Sequence, residues 1–208
     1  MNEIQGRRLA ILTSGGDCSG MNSAICAVIK MALYKGLEAF VIREGFAGLL
    51  KGNRNQDILA AEEANLGQNA LSYGCGDFFR LGDLGGGDSK FHDQYIIRVG
   101  WDDVRSWENQ GGTLIGSARC KEFMSQEGRL QGAFNLISNG IDSLVVCGGD
   151  GSLTGADIFR NEWPSLVESL LKQDRITNEQ ATKFQHLHIA GLVASIDTVS
   201  YTHLRAHE

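Results

Sequence analysis

The sequence has no C-x-x-C pair, one proline and no excess of positive charge. No apolar run approaches the ~20 residues that a membrane-spanning helix needs. Each absence excludes something. The five cysteines, Cys18, Cys26, Cys75, Cys120 and Cys147, are odd in number and unpaired in spacing, which reads as a reduced, cytoplasmic protein with free thiols. The opening "MNEIQGRRLAIL" has too short an apolar stretch before Thr13 and Ser14 for a secretory signal. The net charge of −6 argues against a broad nucleic-acid or anionic-membrane surface. Neither nucleic acid nor membrane is expected as a partner. A local anion site stays open, because backbone amides bind phosphate without net basic charge. With proline scarce, turn-making falls to 27 glycines. They form no low-complexity tract and stand mostly where strands are expected to end.

What is present is ordinary for a globular chain: 208 residues, 42% hydrophobic and 21% charged. A buried strand is expected from Leu9 to Thr13, followed by a glycine turn. "SGMNSAICAVIKMALYKG" is apolar at Met21, Ile25, Val28, Ile29 and Ala32, a helical spacing, with Gly36 as its stop. "EAFVIREG" reads as the next strand. This βαβ unit implies a parallel sheet with a right-handed crossover. Residues 51–100 show little defensible period and read as an inserted or irregular stretch, with some helical character in "DILAAEEANLGQNAL". "WDDVRSWENQGG" resembles a short helix ended by glycines. A helix from Glu127 to Ser138, a strand in "DSLVVCGGDGS", a long helix in "LTGADIFRNEWPSLVESLLKQDRIT" and a last strand near His188 to Ser195 complete the pattern. The expected fold is α/β, a mainly parallel sheet with helices on both faces. Its strand ends recur at Thr13, Cys147 and Ser195, and ligands of such sheets gather outside the carboxyl ends of the strands.

Four motifs stand out, three of them at those ends and one after another glycine turn. In "TSGGDCSGMN", Gly15 and Gly20 fit G-x-x-x-x-G, but Met21 and Asn22 stand where a P-loop needs Lys and Ser/Thr. What survives is a glycine turn opening a helix, either a phosphate seat or a structural turn. In "LVVCGGDGSLTGADIF", Gly148, Gly149 and Gly151 leave room for backbone amides to approach a polyphosphate. Asp150 repels phosphate unless a hard cation such as Mg²⁺ lies between them. Ser152 can donate to a phosphate oxygen, and the helix that follows points its positive end there. "GGTLIGSARCKEF" supplies Arg119, which either neutralises a transferring phosphoryl group or sits in a surface ion pair. "ASID" ends the last strand with Ser195 and Asp197, where a carboxylate can take a proton from a hydroxyl. His186 and His188 would share a strand face, with no third metal ligand evident. Trp101, Trp107 and Trp163 read as core or lid packing.

In this order, "LTSGGDCSGMN", "GGTLIGSAR", "CGGDGSLTGA" and "SID" resemble the ATP-dependent 6-phosphofructokinases. The detail "GSLTGADIFRNEWPSL" is most similar to the amino-terminal catalytic half of the eukaryotic, fungal type. The resemblance covers residues 7–50 and about 101–197. It implies a three-layer sandwich, here incomplete, with residues 1–197 forming the nucleotide-binding portion and 198–208 a tail outside the family. It implies a glycolytic, allosteric kinase that moves the γ-phosphoryl of Mg·ATP to the 1-hydroxyl of fructose 6-phosphate. Gly16, Phe46, Arg119, Cys120, Gly149, Asp150, Gly151 and Ser152 would surround ATP, with Asp150 acting through Mg²⁺ and Arg119 on the transferred group. Ser195, Ile196 and Asp197 would bind the sugar phosphate, with Asp197 as the base. Gly151 is the residue type of ATP users; pyrophosphate-using relatives carry Asp there. Ala194 departs from the usual Gly, and Val199 from the second aspartate of S-I-D-N-D. Family members work as homo- or hetero-oligomers, and further sugar-binding residues lie beyond the segment represented here. A nucleotide-binding fragment without catalysis, a lipid or NAD kinase sharing Gly-Gly-Asp-Gly, and a regulatory role are the competing readings.

Overall fold

A computed structural model describes residues 6–53 and 94–194. Ser195, Ile196, Asp197 and the tail lie outside the described residues, as do Cys75 and most of the 51–100 stretch.

Five strands form one sheet in the order β3-β2-β1-β4-β5. They are β1 (Arg8–Ser14), β2 (Glu38–Ile42), β3 (Ile96–Val99), β4 (Ser143–Gly148) and β5 (His188–Val193). All neighbours are parallel except β2 and β3, which run antiparallel with Ala39 opposite Val99. The helices are α1 (Met21–Tyr34), α2 (Gly45–Lys51), α3 (Gln126–Ser138), α4 (Asp150–Lys172) and α5 (Asn178–Lys183). The central strand β1 shows why the sheet is covered on both sides. Its Ala10 and Leu12 join one core with residues of α2, α3 and α4, while Ile11 joins a second core with Ile25 and Ile29 of α1. A strand buried on both faces reads as a continuous apolar run, as "LAIL" does.

Two expectations are corrected. The 51–100 stretch supplies a strand, Ile96–Val99, on an outer edge of the sheet. "WDDVRSWENQGG" forms turns and a single 3₁₀ turn at Trp107–Asn109, not an α-helix. Val104 and Trp107 are buried three residues apart, which mimics helical spacing. Between them Ser106 takes a left-handed conformation, φ 67, which an α-helix cannot continue. Trp107 and Trp163 are core residues, but Trp101 is 52% exposed, with Lys30 over its ring.

A side-chain clasp joins Asn53 to Tyr95 and Ile96. Asn53 is buried; its Oδ1 accepts from the backbone N–H groups of Tyr95 and Ile96, and its Nδ2 donates to the Ile96 carbonyl, each at 2.9 Å.

Candidate functional site

From β1 the chain runs outward to β2 on one side, then returns to lay β4 on the other side of β1. The helix after β1 packs on one face and the helix after β4 on the opposite face. The loops leaving β1 and β4 therefore diverge and leave a crevice between them. Such a switch point is where open α/β sheets bind ligands.

A cleft of about 490 Å³ opens there. One lip is Ser14–Cys18 after β1, and the other is Gly149–Ser152 at the start of α4. Phe46, Arg119, Cys120, Phe123, Met124, Gly155 and Ala194 complete the lining. Every ATP-site residue expected from the sequence is therefore in one place: Gly16, Phe46, Arg119, Cys120, Gly149, Asp150, Gly151 and Ser152. The sugar-site expectations, Ser195, Ile196 and Asp197, fall outside the described residues, directly after Ala194.

The two helix starts play different parts. No side chain caps α4 at Gly149, and its first-turn residues line the cleft. An uncapped helix start leaves N–H groups without intrahelical partners and concentrates positive potential. The start of α1 is instead covered. Met21 and Asn22 are 1% and 0% exposed, and the Asn22 N–H donates to the Gly112 carbonyl. Only the turn preceding α1 faces the cleft.

The three glycines of Gly148–Gly151 also differ. A Cβ on Gly148 would lie 2.5 Å from the Ser14 carbonyl oxygen and 2.9 Å from Ser152 Cβ, so this glycine permits close packing. A Cβ on Gly151 would meet nothing within 4 Å, so its missing side chain leaves open space in the cleft. Gly148→Ala is expected to lower stability by about 1–3 kcal/mol through overpacking. Gly151→Ala is expected to hold or raise stability by up to about 1 kcal/mol, by removing a helical glycine. Urea midpoints of the two variants check both; equal losses would refute the distinction.

Side-chain bonds that the sequence did not foretell hold the lips together, from residues both named and passed over in the motifs. Ser152 Oγ donates to Ser14 Oγ at 3.0 Å across the crevice, and Ser117 Oγ donates to the Gly15 carbonyl. Asn22 Nδ2 donates to the carbonyls of Gln110 and Gly111, both at 3.1 Å, while its Oδ1 accepts from the Leu114 N–H at 2.8 Å. Thr13 Oγ1 lies 2.8 Å from Thr113 Oγ1 and donates to the Gly116 carbonyl at 2.9 Å. Phe46 is 4% exposed and stacks on Phe123 with centroids 3.9 Å apart, so it serves the core as well as the cleft wall.

Burial raises the thiol pKa of Cys18 and Cys120 in the cleft, and of Cys147 at the end of β4. Burial pushes Cys120 up, assisted by its hydrogen bond to Glu122, and burial with Asp17 raises Cys18. Burial, with Cys18 adding to it, moves Cys147 from 9.0 up to about 11. A folded-state value above the unfolded one gives stability that is full below pH 9 and is lost as pH rises through about 11. Wild type should lose ~1–2 kcal/mol more than Cys147→Ala between pH 8.5 and 11. Paired denaturation curves test this, and parallel pH profiles would contradict it.

Among the described residues no group of three or more His, Cys, Asp or Glu could cage a metal. His186 precedes β5 and only His188 belongs to it, so the two do not share a strand face. The carboxylates that line the cleft are Asp17 and Asp150. That sparse donor set suits Mg²⁺, which is held by one or two carboxylates together with water and substrate phosphates.

The sequence profile described as Phosphofructokinase matches residues 8–202. The chain belongs to the phosphofructokinase family. Among its phosphofructokinase relatives, the ATP-dependent 6-phosphofructokinase subunit beta of Saccharomyces cerevisiae is 45% identical over 191 residues, 92% of this chain and 16% of that protein. The ATP-dependent 6-phosphofructokinase 1 of Aspergillus oryzae is 46% identical over 191 residues, 92% of this chain and 19% of that protein. The solved phosphofructokinase of Saccharomyces cerevisiae superposes with a TM-score of 0.71 at 45% identity, over 92% of this chain and 20% of that one. The chain thus spans a fifth or less of these phosphofructokinases. The expected family and α/β sandwich hold. Among the described residues no helix is long and apolar enough to cross a membrane.

Proposed function

We propose that this chain forms the nucleotide side of an ATP-dependent 6-phosphofructokinase, seating Mg·ATP for transfer of its γ-phosphoryl to the 1-hydroxyl of fructose 6-phosphate. The observation that carries the reading is the convergence of the post-β1 turn, Phe46, the Arg119–Cys120 segment and the uncapped start of α4 on one cleft. Amides at the start of α4 and the Ser152 hydroxyl receive the phosphates. Arg119 offers a fixed positive charge to the transferring group. Asp150, with Asp17 beside the same cleft, would hold Mg²⁺, which neutralises phosphate charge when bound. Asp197 follows Ala194, itself a lining residue, by three positions; that proximity in sequence supports its part as the base. Ser195 and Ile196 would flank the sugar phosphate with it.

Relatives named as alpha and beta subunits support assembly into hetero-oligomers, and homo-oligomers remain the alternative form. Free thiols at Cys18, Cys26, Cys120 and Cys147 support a cytoplasmic location. The 208-residue chain alone binds nucleotide and turns over little or nothing, because it spans a fifth or less of its relatives' length and positioning of both substrates supplies much of the rate.

Calorimetric titration of Mg·ATP into the 208-residue chain tests the reading. Saturable one-to-one binding is expected. A chain that is folded by circular dichroism and binds no Mg·ATP refutes it.

A further inference from the structure

We infer that Asn22 is a positioning residue for the cleft: with Thr13, it clamps the 110–117 loop onto the glycine turn and so sets where Arg119 stands. Arg119 is exposed and lines the cleft, and no described carboxylate holds it in an ion pair. Its place is therefore set by the backbone that carries it, which leaves the loop two residues earlier at Ser117.

That loop has no regular secondary structure from Gln110 to Cys120. Asn22 and Thr13 substitute for the missing ladder. Both side chains are 0% exposed. Asn22 engages the loop four times, through the two carbonyl acceptors of Gln110 and Gly111, the Leu114 N–H and, from its own N–H, the Gly112 carbonyl. Thr13 takes the next section through Thr113 and Gly116, and Ser117 closes onto Gly15. The Glu44 N–H to the Ile115 carbonyl, at 2.9 Å, ties the loop's far side. Buried amides and hydroxyls with all partners satisfied fix a single geometry, because any displacement strands a desolvated polar group. The residue that breaks the P-loop pattern at position 22 thus has its own task. It joins two sequence-distant segments of one site.

The inference rests on the Mg·ATP reading above, and the test separates the two. Mg·ATP affinity is measured by calorimetry for wild type, Asn22→Ala, Arg119→Ala and the double variant. Thr13→Val is the isosteric second probe, since it removes the hydroxyl and keeps the strand. Asn22→Ala is expected to weaken binding about tenfold when Arg119 is present and less than about twofold when it is absent. Thr13→Val should move affinity the same way, again only with Arg119 present. Hydrogen exchange should quicken at residues 111–117 while β4 amides keep their protection. Equal losses in both Arg119 backgrounds, or an unchanged affinity, overturn the positioning role and leave the Mg·ATP reading standing. Failure of wild type to bind Mg·ATP overturns both.

Discussion

Asp150→Asn is expected to weaken Mg·ATP binding by at least about tenfold, equivalent to ~1.4 kcal/mol, while metal-free ATP binds as well as before or slightly better. The opposite signs follow from position. Asp150 is the first residue of α4, exposed, between two glycines that line the cleft. A carboxylate there repels a polyphosphate directly. With Mg²⁺ present the same charge ligates the cation, and charge-assisted contacts of this kind are the strong ones. Removing the charge loses that ligand but also relieves the repulsion, and the positive end of the helix then acts alone. Titrations of both proteins with Mg·ATP and with ATP in excess chelator read the two terms separately. Equal weakening in both conditions would mean that Asp150 serves the fold rather than the cation. The substitution also removes a favourable first-turn charge worth about 0.3–1 kcal/mol, so thermal midpoints should accompany the titrations.

Trp163→Ala is expected to cost about 3–5 kcal/mol, a large share of the roughly 5–15 kcal/mol that holds a domain folded. Trp163 is 1% exposed and ends an aromatic series that begins at the cleft wall. Phe46 stacks on Phe123, Phe123 meets Phe159 edge-on at 5.3 Å, and Phe159 meets Trp163 at 5.4 Å and 88°. The indole Nε1 also donates to the Phe184 carbonyl at 2.8 Å, pinning the chain after α5. Trp163→Phe keeps most of the packing and should cost only about 1–3 kcal/mol, largely from the orphaned carbonyl. Urea denaturation of the three proteins checks the order. Since Trp163 stands 13 residues along α4 from Asp150, about 20 Å at helical rise, nucleotide affinity of the folded fraction should not change. A folded Trp163→Ala variant with near-native stability would contradict the account.

How much of this was legible in the sequence depends on range. The β1-turn-α1-β2 unit, β4 and α4 were readable because each is a local pattern: a short apolar run, then glycine, then a 3.6-residue period. The short β3 was not, since four residues, "IIRV", carry too little period to tell from a loop, and its antiparallel partner lies far back in the chain. The cleft residues were recognised by motif, and the structure brings all eight of the expected nucleotide residues together. Asn22 was noticed only as a failed P-loop position. Its partners are carbonyls 88 and 89 positions away, and backbone acceptors leave no trace in side-chain identity. Gly148 and Gly151 look alike in sequence; only the neighbouring Ser14 carbonyl shows that one is needed for packing and the other for space.

The Asn53 clasp has an evolutionary consequence. One amide side chain ties the chain entering the 54–93 stretch to the chain leaving it, at Tyr95 and Ile96. By general chain statistics, each doubling of the length between two tied ends costs only about 0.6 kcal/mol. The cleft lips, Ser14–Cys18 and Gly149–Ser152, lie outside residues 54–93 in the sequence. Descendants of this gene could therefore lengthen, shorten or exchange the intervening stretch, as natural graft sites allow, while inheriting the cleft unchanged.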